Sequence, residues 1–367
     1  MTTALAIGAA LLLAFANGAN DNAKGVATLI GSSTRSLRAS IYYAAGATFL
    51  GSVAAVFLAG GLVEKFSGKG LVDASVLATP AFLTSVAVAG ALTVLLATRL
   101  GMPISTTHSL VGGICGAGFA ADALFAGKIV TAFVVPLLVA PLLALVIAAP
   151  LYALFRAVRC RMGITSRTCV CIEKEYHPVT IAGDGAVVME ATGLRVSDEH
   201  DAVQCRQRYA GAVAGVDAQR VLDGSHILSA GAVSFARGLN DTPKIAAVMI
   251  ALGAASTGLG LSLVGVAIAA GGLLAVRRVA QTMSYRITEM NDGQAFTANL
   301  VTAFCVLVAS RFGVPVSTTH VSCGSLFGIG IVNRKAHVGM IGTIVAAWIT
   351  TLPVAAVLAY VTFGLLR

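Results

Sequence analysis

Charge is scarce in this chain. Only 11% of its 367 residues are Asp, Glu, Lys or Arg, where a soluble globular chain carries about 25%. That shortage excludes an ordinary soluble domain with a solvated surface. Tryptophan occurs once, and no stretch interleaves basic with aromatic residues, so the net charge of +9 is not a nucleic-acid footprint. In a membrane chain such an excess reads first as Lys and Arg holding loops in the cytoplasm. Long stretches alternating apolar and polar residues are missing, which argues against a β-barrel. Regular zinc spacing is missing too. Cys160, Cys169, Cys171, His177 and Cys205 read as solvated thiols around an ordinary turn at His177 and Pro178, with no metal site. The N-terminus lacks the basic segment that opens a signal peptide and reads as retained structure.

Apolar residues are plentiful instead, at 57% of the chain, together with 40 glycines. Runs such as Ile41–Val63, Phe82–Leu96 and Ile129–Phe155 can each cross a hydrocarbon core of about 30 Å. The expected class is an all-α polytopic membrane protein, multi-pass in the cell (inner) membrane. Cys115, Cys305 and Cys323 fall in apolar segments and read as packing residues.

Two motifs recur. Phe15-Ala16-Asn17-Gly18-Ala19-Asn20-Asp21-Asn22-Ala23-Lys24 returns 220 residues later as Phe235-Ala236-Arg237-Gly238-Leu239-Asn240-Asp241-Thr242-Pro243-Lys244. Pro103, Ser105, Thr106, Thr107, His108, Gly112 and Gly116 return 212 residues later as Pro315, Ser317, Thr318, Thr319, His320, Gly324 and Gly328. The chain is therefore one internal duplication: a first transmembrane repeat over 1–155, a polar cytoplasmic segment over 156–223 and a second repeat over 224–367. In each half the Asn-Asp motif interrupts apolar sequence, so a broken helix or a segment that enters and returns is expected at 2–30 and again at 227–252. Full spans are expected at 40–62, 80–100 and 128–155, and at 259–276, 295–310 and 338–366. A polar loop is expected at 277–292. If both interrupted segments of a half return to the side they came from, three crossings remain per half, and the halves would be inverted relative to each other, with broken or re-entrant helices meeting at a central site.

The chemistry follows from residue type. Ser105 and Ser317 are natural N-caps, and the Thr-Thr-His after each would open a helix whose free N–H groups suit an anion. Two such ends, with hydroxyls from Thr106, Thr107, Thr318 and Thr319, could wrap a small tetrahedral oxyanion. The same residues could instead merely cap buried helices. Asp21 and Asp241 could ligate a cation, carry a proton, or pair with Lys24 and Lys244 three residues on, as charge-neutralising structural pairs. Arg237, unmatched in the first half, could offer a guanidinium to an anion or snorkel to a surface. His108 and His320 are packing residues or proton relays.

These paired blocks, with Arg278 through Thr282 ahead of the second, resemble the inorganic phosphate transporter (PiT) family, which also includes sulfate permeases. The similarity covers nearly all of the chain outside 156–223. The resemblance implies two inverted repeats and secondary active uptake of inorganic phosphate across the plasma membrane, by symport with protons or sodium. It places Asn20, Asp21, Asn240 and Asp241 in the cation and anion site, and Ser105, Thr106, Thr107, Ser317, Thr318 and Thr319 on the anion. No cofactor, enzymatic activity or nucleic-acid partner is implied, and a homo-oligomer is left open. The chain departs from the family in having Lys24 and Lys244 where the signature usually has Asn, Arg237 where His is common and Leu239 where Ala is common. An ammonium group in the space of a sodium ion would make the carrier sodium-independent. It would also leave fewer acceptors for a protonated anion, which keeps sulfate or a related oxyanion as an alternative to phosphate. An anion channel and an intramembrane enzyme are further alternatives. Paired discontinuous segments favour a carrier over the first, and duplicated Ser, His and Asp favour a symmetric binding site over the second.

Overall fold

The structure is a computed structural model. It describes residues 2–77, 79–167, 171–181, 187–197, 208–251, 253, 256–287, 290–334 and 336–367, with side chains outside 166–208. It divides into two units, Met1–Phe155 with Asp223–Arg367, and Arg156–Leu222.

The larger unit is helical. Its first half runs α1 (Thr2–Asp21), a 3-10 turn (Asn22–Gly25), α2 (Ala27–Gly31), α3 (Leu37–Leu58), α4 (Gly60–Phe66), α5 (Ala74–Leu77), α6 (Pro80–Arg99), α7 (Thr106–Ala120), α8 (Ala126–Ile129) and α9 (Val135–Arg161). Its second half runs α10 (Ala218–Ala251), α11 (Thr257–Leu274), α12 (Arg277–Gln281), α13 (Asp292–Arg311), α14 (Thr318–Asn333) and α15 (Val338–Leu366). Among the described residues, seven helical segments are long and apolar enough to cross a membrane: 3–25, 37–58, 80–99, 126–161, 257–274, 292–311 and 338–366. α10 has 34 residues, about 51 Å of helix, but carries Arg237, Asp241 and Lys244 in its body. The chain is a multi-pass membrane protein.

Three expectations are corrected. The Asn-Asp motif breaks the chain only in its first copy. There the helix tightens to 3-10 at Asn22–Gly25 before α2; in the second copy α10 runs on through Asn240, Asp241 and Pro243. The local sequence explains the difference. Gly25 and Val26 follow the first Lys, whereas Ile245, Ala246 and Ala247 follow the second, and alanine is the best helix former. Proline costs α10 one backbone bond without ending it. Second, Arg277–Asp292 is not simply a loop. α12 and a π turn at Thr282–Arg286 occupy it, because Val276, Val279, Ala280, Met283 and Ile287 recur at helical spacing and are all buried. Third, the turn at His177 and Pro178 is absent. Both residues lie in β2 (Cys171–Ile181), paired antiparallel with β3 (Val187–Ser197).

The smaller unit, expected only as a polar segment, contains that ribbon and two further antiparallel pairs. These are β1 (Thr165–Arg167) with β4 (Arg208–Ala210), and β5 (Ala212–Val213) with β6 (Val216–Asp217). Ile164, Tyr209 and Ala218 form its small apolar cluster, with the Arg159 guanidinium 4.9 Å above the Tyr209 ring. Cys169 and Cys205 lie outside the described residues. Cys115, Cys160, Cys305 and Cys323 are free thiols.

Glycines set how the two halves of the larger unit meet. A Cβ on Gly18 would strike the Ile268 carbonyl of α11, and one on Gly238 would strike the Thr48 carbonyl of α3. Gly112 and Gly116 of α7 lie against the Leu352 and Ala356 carbonyls of α15; Gly324 and Gly328 of α14 lie against the Pro141 and Leu145 carbonyls of α9. Each half thus packs its glycine-lined helices on the other half, with partners at or within one residue of matching repeat positions. The spacing read from sequence as a close-approach motif is used here across the repeat boundary.

Candidate functional site

α6 and α7 form an antiparallel helical hairpin, with Gly113 of α7 against Val86 of α6. α13 and α14 form its counterpart, tied by Thr302 Oγ1 to Ser325 Oγ at 3.1 Å. The tips are the two Pro-to-Ser turns. Each turn ends in the N-cap expected from sequence: Ser105 Oγ accepts from His108 N (3.1 Å), and Ser317 Oγ from His320 N (3.3 Å). α7 has 15 residues and α14 has 16, about 22 and 24 Å, each shorter than a hydrocarbon core.

The tips interlock. Thr319 Oγ1 donates to the Ile104 carbonyl (2.7 Å), and Thr107 Oγ1 to the Val316 carbonyl (3.3 Å). The lysines repeat the exchange. Lys24 Nζ donates to its own Asp21, to Ile104 O (2.9 Å) and to Thr319 Oγ1. Lys244 Nζ donates to Asp241 Oδ1 (3.3 Å), Val316 O (2.6 Å) and Thr107 Oγ1 (2.9 Å). Each ammonium therefore takes a carboxylate, a carbonyl from its own half and a threonine from the other. The two sets match contact for contact.

The asparagines hold the tips against the charges. Asn20 Nδ2 donates to Thr98 Oγ1 and Met102 O (3.0 Å each), and Ile104 N donates back to Asn20 Oδ1 (3.2 Å). Asn240 Nδ2 donates to Val316 O (3.3 Å) and Asp241 Oδ1 (3.0 Å), and Ser310 Oγ donates to Asn240 Oδ1 (3.2 Å). Asn17 bridges the halves. Its Nδ2 lies 3.2 Å from Asp21 Oδ2, 3.4 Å from Asp241 Oδ2 and 3.0 Å from Thr106 Oγ1. Thr318 Oγ1 reaches Asp241 Oδ2 at 3.5 Å.

Arg237 has no counterpart in the first half, where Asn17 holds the matching position. Its Nη2 donates to Asn17 Oδ1 (2.9 Å), its Nη1 to Asn22 Oδ1 and Thr48 Oγ1 (3.2 Å each), and its Nε stands 3.8 Å from Asp241 Oδ2. It is 1% exposed, so the snorkelling alternative is excluded. Asp21, Lys24, Asp241 and Lys244 are as deeply buried. Counted in their ionised forms, two carboxylates face three cations, a formal excess of one positive charge in the interior. A buried unbalanced charge is expensive, and an anion would offset it.

The structure thus brings together all the expected residues: Asn20, Asp21, Lys24, Arg237, Asn240, Asp241 and Lys244, the Ser105–Thr107 and Ser317–Thr319 blocks, and the two histidines beside them. The His108 and His320 ring centroids are 4.5 Å apart. Sequence reasoning missed the two carbonyls that anchor the lysines, which carry no side-chain signal. It also missed Thr98 and Ser310, a matched pair at the second offset. Missed as well was a buried polar group near one end of α10. There His226 Nε2 lies 3.1 Å from Thr28 Oγ1, Asn299 Nδ2 donates to Thr28 Oγ1 (2.9 Å), and Thr34 Oγ1 donates to Asp292 Oδ1 (2.9 Å).

Known proteins share this arrangement of sequence. The profile of the phosphate transporter family matches residues 17–359. A "Probable low-affinity inorganic phosphate transporter" of Mycobacterium tuberculosis is 29% identical over 366 residues, covering 98% of this chain and 76% of its own; one from Mycobacterium bovis matches equally. A solved structure, "The sodium-dependent phosphate transporter", superposes with a TM-score of 0.75 over 100% of this chain and 98% of that one, at 22% identity. The latter likeness is one of fold.

Proposed function

The chain belongs to the phosphate transporter family, and we propose that it carries inorganic phosphate across the cell (inner) membrane at the crossed cluster between its hairpin tips. It is a transporter and not an enzyme. The single observation that carries the reading is the net positive charge held by Asp21, Lys24, Arg237, Asp241 and Lys244 where two helix N-termini interlock. Asp21 and Asp241 hold the lysines. Thr106, Arg237 and the N-terminal turns capped by Ser105 and Ser317 turn toward the anion, and Thr107, Thr318 and Thr319 join them on releasing their present acceptors. Asn20 and Asn240 fix the tips.

Inverted halves fit this geometry. If α6–α7 and α13–α14 enter and return, the crossings left in the first half are the segment at 3–25, α3 and α9. Those in the second are α10, α11 and α15. Three is odd, so the second half would run opposite to the first. α7 packs along α6 and α15, and α14 along α13. The two short helices meet at their N-terminal turns, as helices pointing away from a common centre do.

The coupling ion follows from the lysines. Each ammonium is held by a carboxylate, a carbonyl and a hydroxyl, an all-oxygen set of the kind that hard metal cations take. Two fixed positive groups therefore stand where coupling cations would bind, and transport proceeds without sodium. One observation also bears on the choice between phosphate and sulfate. Both carboxylates already accept from lysine, so an anion O–H finds few acceptors, and sulfate is the natural competitor.

The test is uptake of radiolabelled phosphate by purified protein in liposomes, with and without a sodium gradient, competed by sulfate. Saturable phosphate uptake indifferent to sodium is expected. Sodium-dependent uptake would remove the role given to the lysines, and uptake of sulfate alone would remove phosphate.

A further inference from the structure

Two imidazoles, His320 buried and His108 half-buried, are left over from the anion site. His108 and His320 are the third residues of α7 and α14, and their ring centroids lie 4.5 Å apart with the planes inclined by 49°. The Nδ1 atoms of both are buried with no hydrogen-bond partner among the described residues. His320 is 3% exposed. Its far side is closed by Trp348, whose ring lies 3.8 Å away edge-on and whose Nε1 donates to the Pro103 carbonyl (3.3 Å). A buried polar atom without a partner is rare and needs a reason. Packing alone gives none, since phenylalanine or leucine would fill this space without the cost.

We propose that His108 and His320 together form the proton-binding site of the carrier, taking up one proton for each divalent anion bound. This rests on the reading that the crossed cluster holds the anion. An imidazole with its hydrogen on Nε2 offers the Nδ1 lone pair, and the proton adds there. Two rings in contact accept one charge between them, because like charges at this distance repel. The remaining charged groups that act on the pair are Lys244, for His108, and Lys24, for His320. Among the described residues α6, α9, α13 and α15 bring no other charged side chain against it. With both neighbours cationic, the pair takes its proton when an anion arrives to offset them. Anion and proton then need each other, which is the thermodynamic content of symport.

Charge balance gives the number. Three buried cations and two carboxylates leave one positive charge. A divalent anion makes that one negative, and one proton on the pair brings the loaded centre to zero. A neutral loaded centre is the form that moves most cheaply through a low-dielectric interior. The position of the pair between the two halves lets the same proton face either side.

The experiment uses the full chain in liposomes. An inside-alkaline pH gradient should drive phosphate accumulation by the wild type. His108→Gln, His320→Gln and the double variant should lose at least tenfold of that accumulation while still exchanging external for internal phosphate at a reduced rate. In detergent at pH 8, calorimetry in buffers of different ionisation enthalpy should show about one proton taken up per phosphate bound by the wild type, and this measurement needs no variant to fold. Accumulation by the double variant equal to wild type overturns the proposal, as does phosphate binding to the wild type without proton uptake. Wild-type exchange that persists without any response to the pH gradient overturns it while leaving the phosphate reading intact. Absence of wild-type exchange removes both.

Discussion

The two lysines look equivalent, but their carboxylates are not equally supported. If Lys24→Met is made, Asp21 keeps Asn17 Nδ2 at 3.2 Å as its one direct hydrogen-bond partner among the described residues. If Lys244→Met is made, Asp241 keeps the Arg237 Nε at 3.8 Å, Asn240 Nδ2 at 3.0 Å, Asn17 Nδ2 at 3.4 Å and Thr318 Oγ1 at 3.5 Å. Removing one member of a buried ion pair costs about 3–5 kcal/mol. Coulomb's law at 3.3 Å, the Lys244–Asp241 separation, gives about 5 kcal/mol at an effective dielectric near 20. A hydrogen bond to a charged group contributes about 1.5–3 kcal/mol, so the surviving partners of Asp241 recover part of that loss. Lys24→Met should therefore cost about 5 kcal/mol and Lys244→Met about 2–3 kcal/mol. Adding Asp21→Asn to Lys24→Met removes the stranded charge and should restore at least about 2 kcal/mol, a coupling typical of residues in contact. The assay is unfolding of purified protein in mixed micelles as the fraction of SDS is raised. Equal losses, the reverse order, or a double variant no better than Lys24→Met would refute the charge accounting of the site.

Two further outcomes are expected. Arg237→Lys keeps the charge but cannot reach Asn17, Asn22 and Thr48 together; the half-saturation concentration for phosphate uptake should rise at least about tenfold, or about 1.4 kcal/mol. Gly18→Ala and Gly238→Ala place a methyl on the carbonyls of Ile268 and Thr48, which are backbone and cannot rotate aside. Each should cost about 1–3 kcal/mol in the same unfolding assay, while Gly127→Ala, with nothing within 4 Å, should be silent.

Much of this arrangement is legible in the chain. The two offsets, the serine caps and the three-residue spacing from Asp to Lys are local signals, and each appears in the structure where local rules put it. What is not legible is long-range. Hydropathy rates α6 as a span like any other, and nothing local in its composition announces that Gly113 of α7 folds back against Val86. The exchange of partners at Thr107 and Thr319 joins residues more than 200 positions apart, and half of the acceptors are carbonyls, which every residue has. The continuity of α10 is decided by Ile245, Ala246 and Ala247, residues that look like ordinary apolar filler. The strands at 171–197 carry no clean alternation to announce them.

The reciprocal glycine seams say something about ancestry and assembly. A chain encoding one half alone would show lipid a groove shaped for a helix it does not possess, and the missing helix is its own duplicate. Such a half is complete only as a pair. The present polypeptide carries both members of that pair in one chain. Its halves are free to differ, and Arg237 and Trp348 stand in the second where Asn17 and Pro136 hold the matching positions of the first.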